Sequence, residues 1–324
     1  MFGIFFVFYF RFLWTKFVYF FVMGYCSAAV YSDKVYFIDI EGCVKRYNEG
    51  KVISIDAEGD IPGVISLEMS GDILIVLDVH RNVWFSYVGK LSDIVSPLRK
   101  IEEINDVSSI HAHLSSTFYV LDNSGTLFSI SIEDIWNTRV SPKIRTVHGI
   151  PKLTKFSFAY RSCGMDFENK VFTWNRFTNV VEVPCAAALD FCVQSESVKV
   201  ITTDGILWKF SFDDKELIEK KIIFPDFKQE LELIRSGQDM TLAIDKNGHL
   251  WGWDNSGMAG SGIQSYEPKK IEQVDEICYS IQCGMGSGVV TTKNGNVYII
   301  KKGVHKISGI EVFTGYSSQK SARK

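Results

Sequence analysis

Proline is scarce in this sequence, 7 among 324 residues, and neither a Ser/Gly-rich stretch nor a long run of like charge interrupts it. Flexible connections between domains are built from such segments. With none to divide it, the chain is expected to hold one domain over residues 24–324, behind an N-terminal extension of residues 1–23. A concentrated basic face is lacking too. The formal net charge is −3, and lysines fall in separated pairs such as Lys220-Lys221, Lys269-Lys270 and Lys301-Lys302. Affinity for nucleic acid comes largely from clustered basic groups that neutralise phosphates, so direct nucleic-acid binding is not expected. No Asn-x-Ser/Thr acceptor occurs among the asparagines. The seven cysteines (Cys26, Cys43, Cys163, Cys185, Cys192, Cys278, Cys283) form an odd set without regular spacing. A secreted disulfide framework is denser and usually even. Free, mostly buried thiols are therefore expected, in a cytoplasmic or nuclear setting.

Signatures of chemistry are missing as well. There is no Gly-x-Ser-x-Gly elbow. The glycine-rich stretch Gly252 to Gly262 is not followed by Gly-Lys-Ser/Thr, which a phosphate cradle needs, and reads as a connecting loop. Cys278 and Cys283 are five apart, so a strand turns them to opposite sides. His111 and His113 share a strand face but lack a third ligand. No catalytic residue, cofactor or metal site is expected.

The first 22 residues differ from the rest, with 9 of the 24 phenylalanines and Arg11 and Lys16 as their only charges. Three readings stay open: a signal peptide with a small-residue site at Ser27-Ala28-Ala29, a membrane anchor, or an A/T-rich leader upstream of a start at Met23. The longest uncharged run, Phe17 to Ser32, falls short of the roughly 18–20 residues that span a bilayer.

A repeat dominates what remains. An aliphatic-aromatic doublet recurs at Val35-Tyr36, Val83-Trp84, Leu127-Phe128, Val171-Phe172, Leu207-Trp208, Leu250-Trp251 and Val297-Tyr298, with spacings of 48, 44, 44, 36, 43 and 47. Each doublet follows a turn signal: Ser32-Asp33, His80-Arg81-Asn82, Asn123-Ser124-Gly125, Glu168-Asn169, Thr203-Asp204-Gly205, Lys246-Asn247-Gly248 and Lys293-Asn294-Gly295. Asn-Gly and Asp-Gly supply the positive φ that a tight hairpin demands. Short apolar strands precede most turns: Ile73 to Leu77, Phe118 to Leu121, Val198 to Ile201, Leu242 to Ile244 and Val289 to Val290. One hairpin cannot bury its apolar faces alone; seven arranged radially can. The expected fold is all-β, a seven-bladed β-propeller. The tail from Ile310 to Ser318 repeats the opening of a unit, and Ala28 to Ile40 begins partway into one. The ring is thus expected to close by pairing of the N- and C-terminal strands.

The stretch Ile234 to Gly262, with its Asp245-Lys246-Asn247-Gly248, Leu250-Trp251-Gly252-Trp253 and Gly260-Ser261-Gly262, resembles the repeat of the regulator of chromosome condensation family. Gly284 to Tyr298 is a second match, Gly315 opens a third, and Gly24 to Val30 is similar to the same strand. The Trp-Gly-x-Asn element is one residue short at Trp253-Asp254-Asn255, and units between residues 60 and 215 mostly lose the glycines. Trp253-Asp254 also matches a WD dipeptide, once, which keeps a WD-repeat-like scaffold as an alternative.

The resemblance implies a propeller that binds proteins, and a non-enzymatic protein–protein interaction module, monomeric, is the expected function. Candidate rim residues outside the strand pattern are Trp136, Arg139, Asp254, Asn255 and Met258. The founding family member exchanges guanine nucleotide on the small GTPase Ran, so exchange on a Ran-type GTPase is the alternative. In the family, exchange uses acidic rim residues and a β-wedge inserted in one blade; the longest interval here is 48, which leaves little room for a wedge. A membrane-tethered propeller is a third class and rests on residues 1–22.

Overall fold

The computed structural model describes residues 28–307 and Val312, except for 32–33, 40, 49–50, 62, 71, 89–95, 113–116, 133–140, 159–160, 176–177, 195–196, 214–215, 238–239, 255–264 and 284–286. The chain forms seven four-stranded antiparallel sheets, each from one contiguous stretch with its strands in sequence order. These are blades 1 to 7 of a propeller. Their first strands are Ala28–Tyr31, Val64–Ser70, Val107–Ala112, Leu153–Phe158, Ala188–Gln194, Leu231–Ser236 and Cys278–Cys283. First strands of successive blades pack on one another, which puts them innermost, and the first strand of blade 1 packs on blade 7. No helix among the described residues is long and apolar enough to cross a membrane.

The core lies between the blades. Side chains of a strand alternate in direction, so each sheet offers an apolar face to both neighbours, and seven buried clusters fill the seven seams. The seam between blades 3 and 4, for example, holds Tyr119, Leu121, Leu127, Leu153, Phe156 and Trp174. Burying such side chains contributes about 1.5–3 kcal/mol each.

A single device turns the second strand of every blade into its third. The third residue after a turn acid or hydroxyl adopts positive φ: Gly42 (80°), Arg81 (67°), Gly125 (79°), Asn169 (61°), Gly205 (80°), Gly248 (81°) and Gly295 (83°). In five blades the residue that opens the turn is an aspartate whose Oδ1 accepts hydrogen bonds from within the turn, as Asp78 accepts the amides of His80 (2.8 Å) and Asn82 (2.9 Å). Asp39, Asp122, Asp166 and Asp245 do the same. Oδ2 of Asp78 and of Asp245 then accepts the indole N–H of Trp84 and of Trp251, both at 2.9 Å. The aromatic of the doublet is thus tied by its polar edge to the turn that precedes it.

Blade 1 corrects the expected phase of the repeat. Val35-Tyr36 lies in its second strand, Lys34–Ile38, and the turn that matches the others is Asp39 to Cys43, with Gly42 at positive φ. The third strand, Val44–Asn48, has Lys45 where other blades have an aromatic. Lys45 Nζ reaches Asp39 Oδ2 at 3.4 Å, making the same link to the turn that the indoles make. The aromatic signal is therefore absent from that position, and the nearest doublet lies one strand early.

Closure involves the tail. At six junctions the amide that opens a first strand donates to the carbonyl of the positive-φ residue one blade back, as Val64 does to Gly42 (2.9 Å), Leu153 to Gly125 (3.0 Å) and Cys278 to Gly248 (2.8 Å). Val312 makes this bond to Gly295 at 3.0 Å, and it bridges Asp39 antiparallel, as Val64 pairs with Asp78. Val312 thus occupies the head of the innermost strand of blade 1, which Ala28–Tyr31 completes. Val312 and Ala28 share one cluster with Val289 and Val297 of blade 7. Gly315, the tail residue expected to mate near Ala29, lies outside the described residues, as do residues 1–27.

Candidate interaction rims and a buried polar belt

An up-and-down blade gives the propeller two unlike rims. One carries the loops between first and second and between third and fourth strands; the other carries the aspartate turns and the connections between blades. On the first rim, loops between third and fourth strands are long in blades 2 (88–98), 3 (132–142) and 6 (255–268) and short in the other four. Trp136 and Arg139 belong to the blade 3 loop, and Asn255 and Met258 to the blade 6 loop; all four lie outside the described residues. Asp254 ends the third strand of blade 6, Leu250–Asp254, opposite Met240. Asp254, the one candidate among the described residues, thus lies at this rim. Tyr266, in the same blade 6 loop, is 68 % exposed.

The opposite rim is lined with acids. Glu58 and Asp60, Glu102 and Glu103, Asp226 and Glu230, and Glu272 and Asp275 are exposed in four of the inter-blade connections. Several have basic neighbours, such as Lys246 at 2.5 Å from Glu230 and Lys100 at 3.1 Å from Glu102. Glu276 is the exception in depth. Its Oε2 accepts from Thr292 Oγ1 (3.0 Å), Asn294 Nδ2 (3.0 Å) and Asn296 Nδ2 (2.7 Å), and its Oε1 from the Tyr298 hydroxyl (2.6 Å) and Lys306 Nζ (3.2 Å). Burial alone would raise its pKa, but these donors, Tyr298 and Asn296 foremost, outweigh it and hold the carboxyl at about 2. Blade 7 has Thr292 where other blades have the turn aspartate, and Glu276 supplies the missing carboxylate from the preceding connection.

Inside the ring, one register position of the innermost strands is polar in five blades: Glu68, His111, Ser157, Arg235 and Gln282, with Ala29 and Cys192 completing the seven. All are buried. Glu68 Oε2 accepts the amide of Ala112 in the next blade. Burial pushes its pKa well up, against the pull of that amide and of Arg235. Asp190 Oδ2 accepts from Arg235 Nη1 (2.8 Å) and the Ile234 amide (2.9 Å). Nearby, Lys199 Nζ donates to Gln194 Oε1 (2.6 Å), Ser236 Oγ (3.0 Å) and Thr241 Oγ1 (2.7 Å). Burial pulls its pKa down to about 8. These groups join blades 5 and 6; a sequence reading misses them because one polar residue in an apolar strand carries no motif. Their signal is the recurrence of a polar residue at blade spacing.

The six described thiols are free, as expected, and Cys26 lies outside the described residues. Cys163, Cys192, Cys278 and Cys283 are buried and unbridged, Cys185 is half-buried and Cys43 exposed. Burial raises the pKa of Cys283 to about 12 and of Cys192 to about 11, so neither is a nucleophile at neutral pH. Asp39, Glu41 and Cys43 could approach one metal ion, but Asp39 Oδ1 is engaged by the amides of Glu41 and Cys43 at 3.0 and 2.9 Å.

No known family profile matches the chain, and no curated protein matches it in sequence. Solved structures do resemble it. The structure of Prp20p from Saccharomyces cerevisiae aligns over 91 % of this chain and 86 % of its own at 13 % identity, with a TM-score of 0.58. Yeast RCC1 (Prp20) bound to Kap60 aligns over 74 % of this chain and 70 % of its own at 15 % identity and 0.55. The chain shares the β-propeller fold of these structures. Human WBSCR16 also shares it, over 79 % of this chain and 84 % of its own, at 10 % identity and a TM-score of 0.57. Identities this low establish the β-propeller fold and leave function to the surfaces.

Proposed function

We propose that this RCC1-type propeller is a non-catalytic protein-interaction module that engages its partner through the rim bearing the long loops of blades 2, 3 and 6. What supports this reading is the length of the stretches between third and fourth strands in blades 2, 3 and 6, in which Trp136, Arg139, Asn255 and Met258 fall in the sequence and in which Tyr266 is exposed. Binding energy concentrates in a few aromatic and arginine side chains held by a rigid scaffold. Proximity-dependent cross-linking from this rim, with Trp136→Ala and Arg139→Ala as comparisons, tests it. The expected result is a specific partner whose capture falls at least about fivefold in those variants, each hot-spot truncation being worth more than about 1 kcal/mol. Capture insensitive to every loop substitution overturns the choice of rim.

A second reading, guanine-nucleotide exchange on a Ran-type GTPase, is favoured by the acids of the opposite rim and by the likeness to Prp20p, whose binding to Gsp1p and histones has been described. Exchange requires a factor that holds nucleotide-free GTPase better than the loaded form. Nucleotide release from Ran that is no faster with the propeller than without it retires this reading. A cytoplasmic or nuclear location suits both readings.

A further inference from the structure

Charge is spread unevenly around the ring. No acid lies between Asp134 and Asp166 in the sequence, and the exposed cations of that stretch fall on one side of blade 3. Side chains of its outer strand, Lys143–Thr146, alternate in direction. Ile144 packs into the seam with blade 2, so Lys143 and Arg145, both exposed, turn toward blade 4. Exposed His148 and Lys152 continue the positive charge along the connection to blade 4, on the rim where four other connections carry acids. Elsewhere an acid of the chain stands beside an outer-strand cation: Glu58 at 3.7 Å from Arg99 in blade 2, Glu219 at 3.0 Å from Lys221 in blade 5, Glu272 at 3.5 Å from Lys270 in blade 6 and Glu276 at 3.2 Å from Lys306 in blade 7. Among the described residues no acid pairs with Arg145, His148 or Lys152. Lys152 Nζ is held by the hydroxyls of Ser124 and Thr126, which fix its position without cancelling its charge.

The strand Lys143–Thr146 pairs in regular register with the third strand and is the outer edge of its sheet. Basic side chains on such an edge repel a second copy of it, and the same charges select a strand of opposite sign. We propose that this edge binds an extended acidic segment of a partner protein, added to blade 3 as a fifth strand. Main-chain pairing with the edge supplies affinity, and alternate side chains supply selectivity. Lys143 and Arg145 are two residues apart, about 7 Å along a strand, so the segment carries acids at every second position. An acid beyond the paired residues meets His148 and Lys152. Nucleic acid fits less well, because four cations are few against the phosphate array that gives it affinity, and its backbone has no amide to pair with the edge. The binding needs none of the long loops.

Fluorescence anisotropy of the full chain tests this with three labelled probes: a decapeptide alternating Glu with Thr, its counterpart with Gln for Glu, and a ten-nucleotide oligothymidylate. The acidic peptide is expected to bind at least about tenfold more tightly than the Gln peptide, since several exposed ion pairs add up. Arg145→Glu, which turns one attraction into a repulsion, is expected to weaken it at least about fivefold. Arg145→Gln gives a smaller loss, with the urea midpoint of the ring unchanged. Lys269→Glu, on the blade 6 edge, leaves the affinity unchanged. Saturating acidic peptide slows hydrogen exchange of the amides within Lys143–Thr146. Equal binding of the two peptides, or binding of neither, overturns the inference. So does equal or tighter binding of the oligothymidylate with the same response to Arg145→Glu, which marks a nucleic-acid surface. Binding that leaves the amides of Lys143–Thr146 exchanging freely overturns it as well, because it marks attraction without an added strand.

Discussion

Replacing Glu276 by glutamine keeps the shape of the side chain and removes its charge, at the one site where five donors converge on a single carboxylate in blade 7. The carboxyl sits at about 2 in the folded chain against an ordinary 4.5. A depressed acid stabilises the fold above the unfolded value, and that stability disappears as pH falls through the folded one. The difference corresponds to at most about 3 kcal/mol at pH 7, falling to about 1 kcal/mol at pH 3. Half-exposed Lys306 adds little to either figure, because solvent screens it. Urea unfolding of the wild type and Glu276→Gln at pH 7 and pH 3 measures the effect. The expected outcome is a clear drop in stability at pH 7 that shrinks by more than half at pH 3. An equal loss at both pH values would mean that the charge is not what the five donors hold, and would refute the reasoning.

Other substitutions probe other parts of the fold. Asp190→Asn leaves the buried Arg235 guanidinium without its carboxylate and is expected to cost about 3–5 kcal/mol in chemical unfolding. Gly125→Ala combines positive φ with a Cβ only 2.8 Å from the backbone of Leu153, whereas Gly149→Ala, also at positive φ, meets nothing within 4 Å. The first should cost well over the ~1 kcal/mol expected from the second, and equal losses would discount the contact with blade 4. Lys199, lowered to about 8 from 10.5, costs stability below its folded pKa and progressively less as pH rises toward 10.5. Lys199→Met should therefore gain on the wild type at pH 7 and lose that gain by pH 10; a difference that is flat with pH contradicts it.

The rhythm of the blades was legible because positive φ has few solutions, and Gly125, Gly205, Gly248, Gly295 and Asn169 announce it in the sequence. Blade 2 hid the same turn under Arg81, and only its neighbours in the repeat revealed it. Blade 1 was read one strand early because Lys45 substitutes electrostatically for an indole, an exchange that hydrophobic patterning cannot register. The turn aspartates were visible as turn residues, but their second role, anchoring Trp84 and Trp251, depends on a six-residue separation that only a folded hairpin brings together. The polar belt of Glu68, Asp190 and Arg235 stayed hidden for a related reason: its partners come from different blades, 44 or more residues apart. Trp136, Arg139, Asn255 and Met258 were chosen as residues outside the strands, and all four lie outside the described residues.

Closure of the ring rests on the tail at Val312. Native-state hydrogen exchange offers an internal comparison, because the amides of Val64, Val107, Leu153, Ala188 and Cys278 make the equivalent bond at other junctions. Closure predicts that the Val312 amide is protected to the same free energy as those five, exchanging only when the whole propeller unfolds. Exchange at Val312 as fast as in an unstructured tail, with the other five still protected, would show an open ring and contradict it.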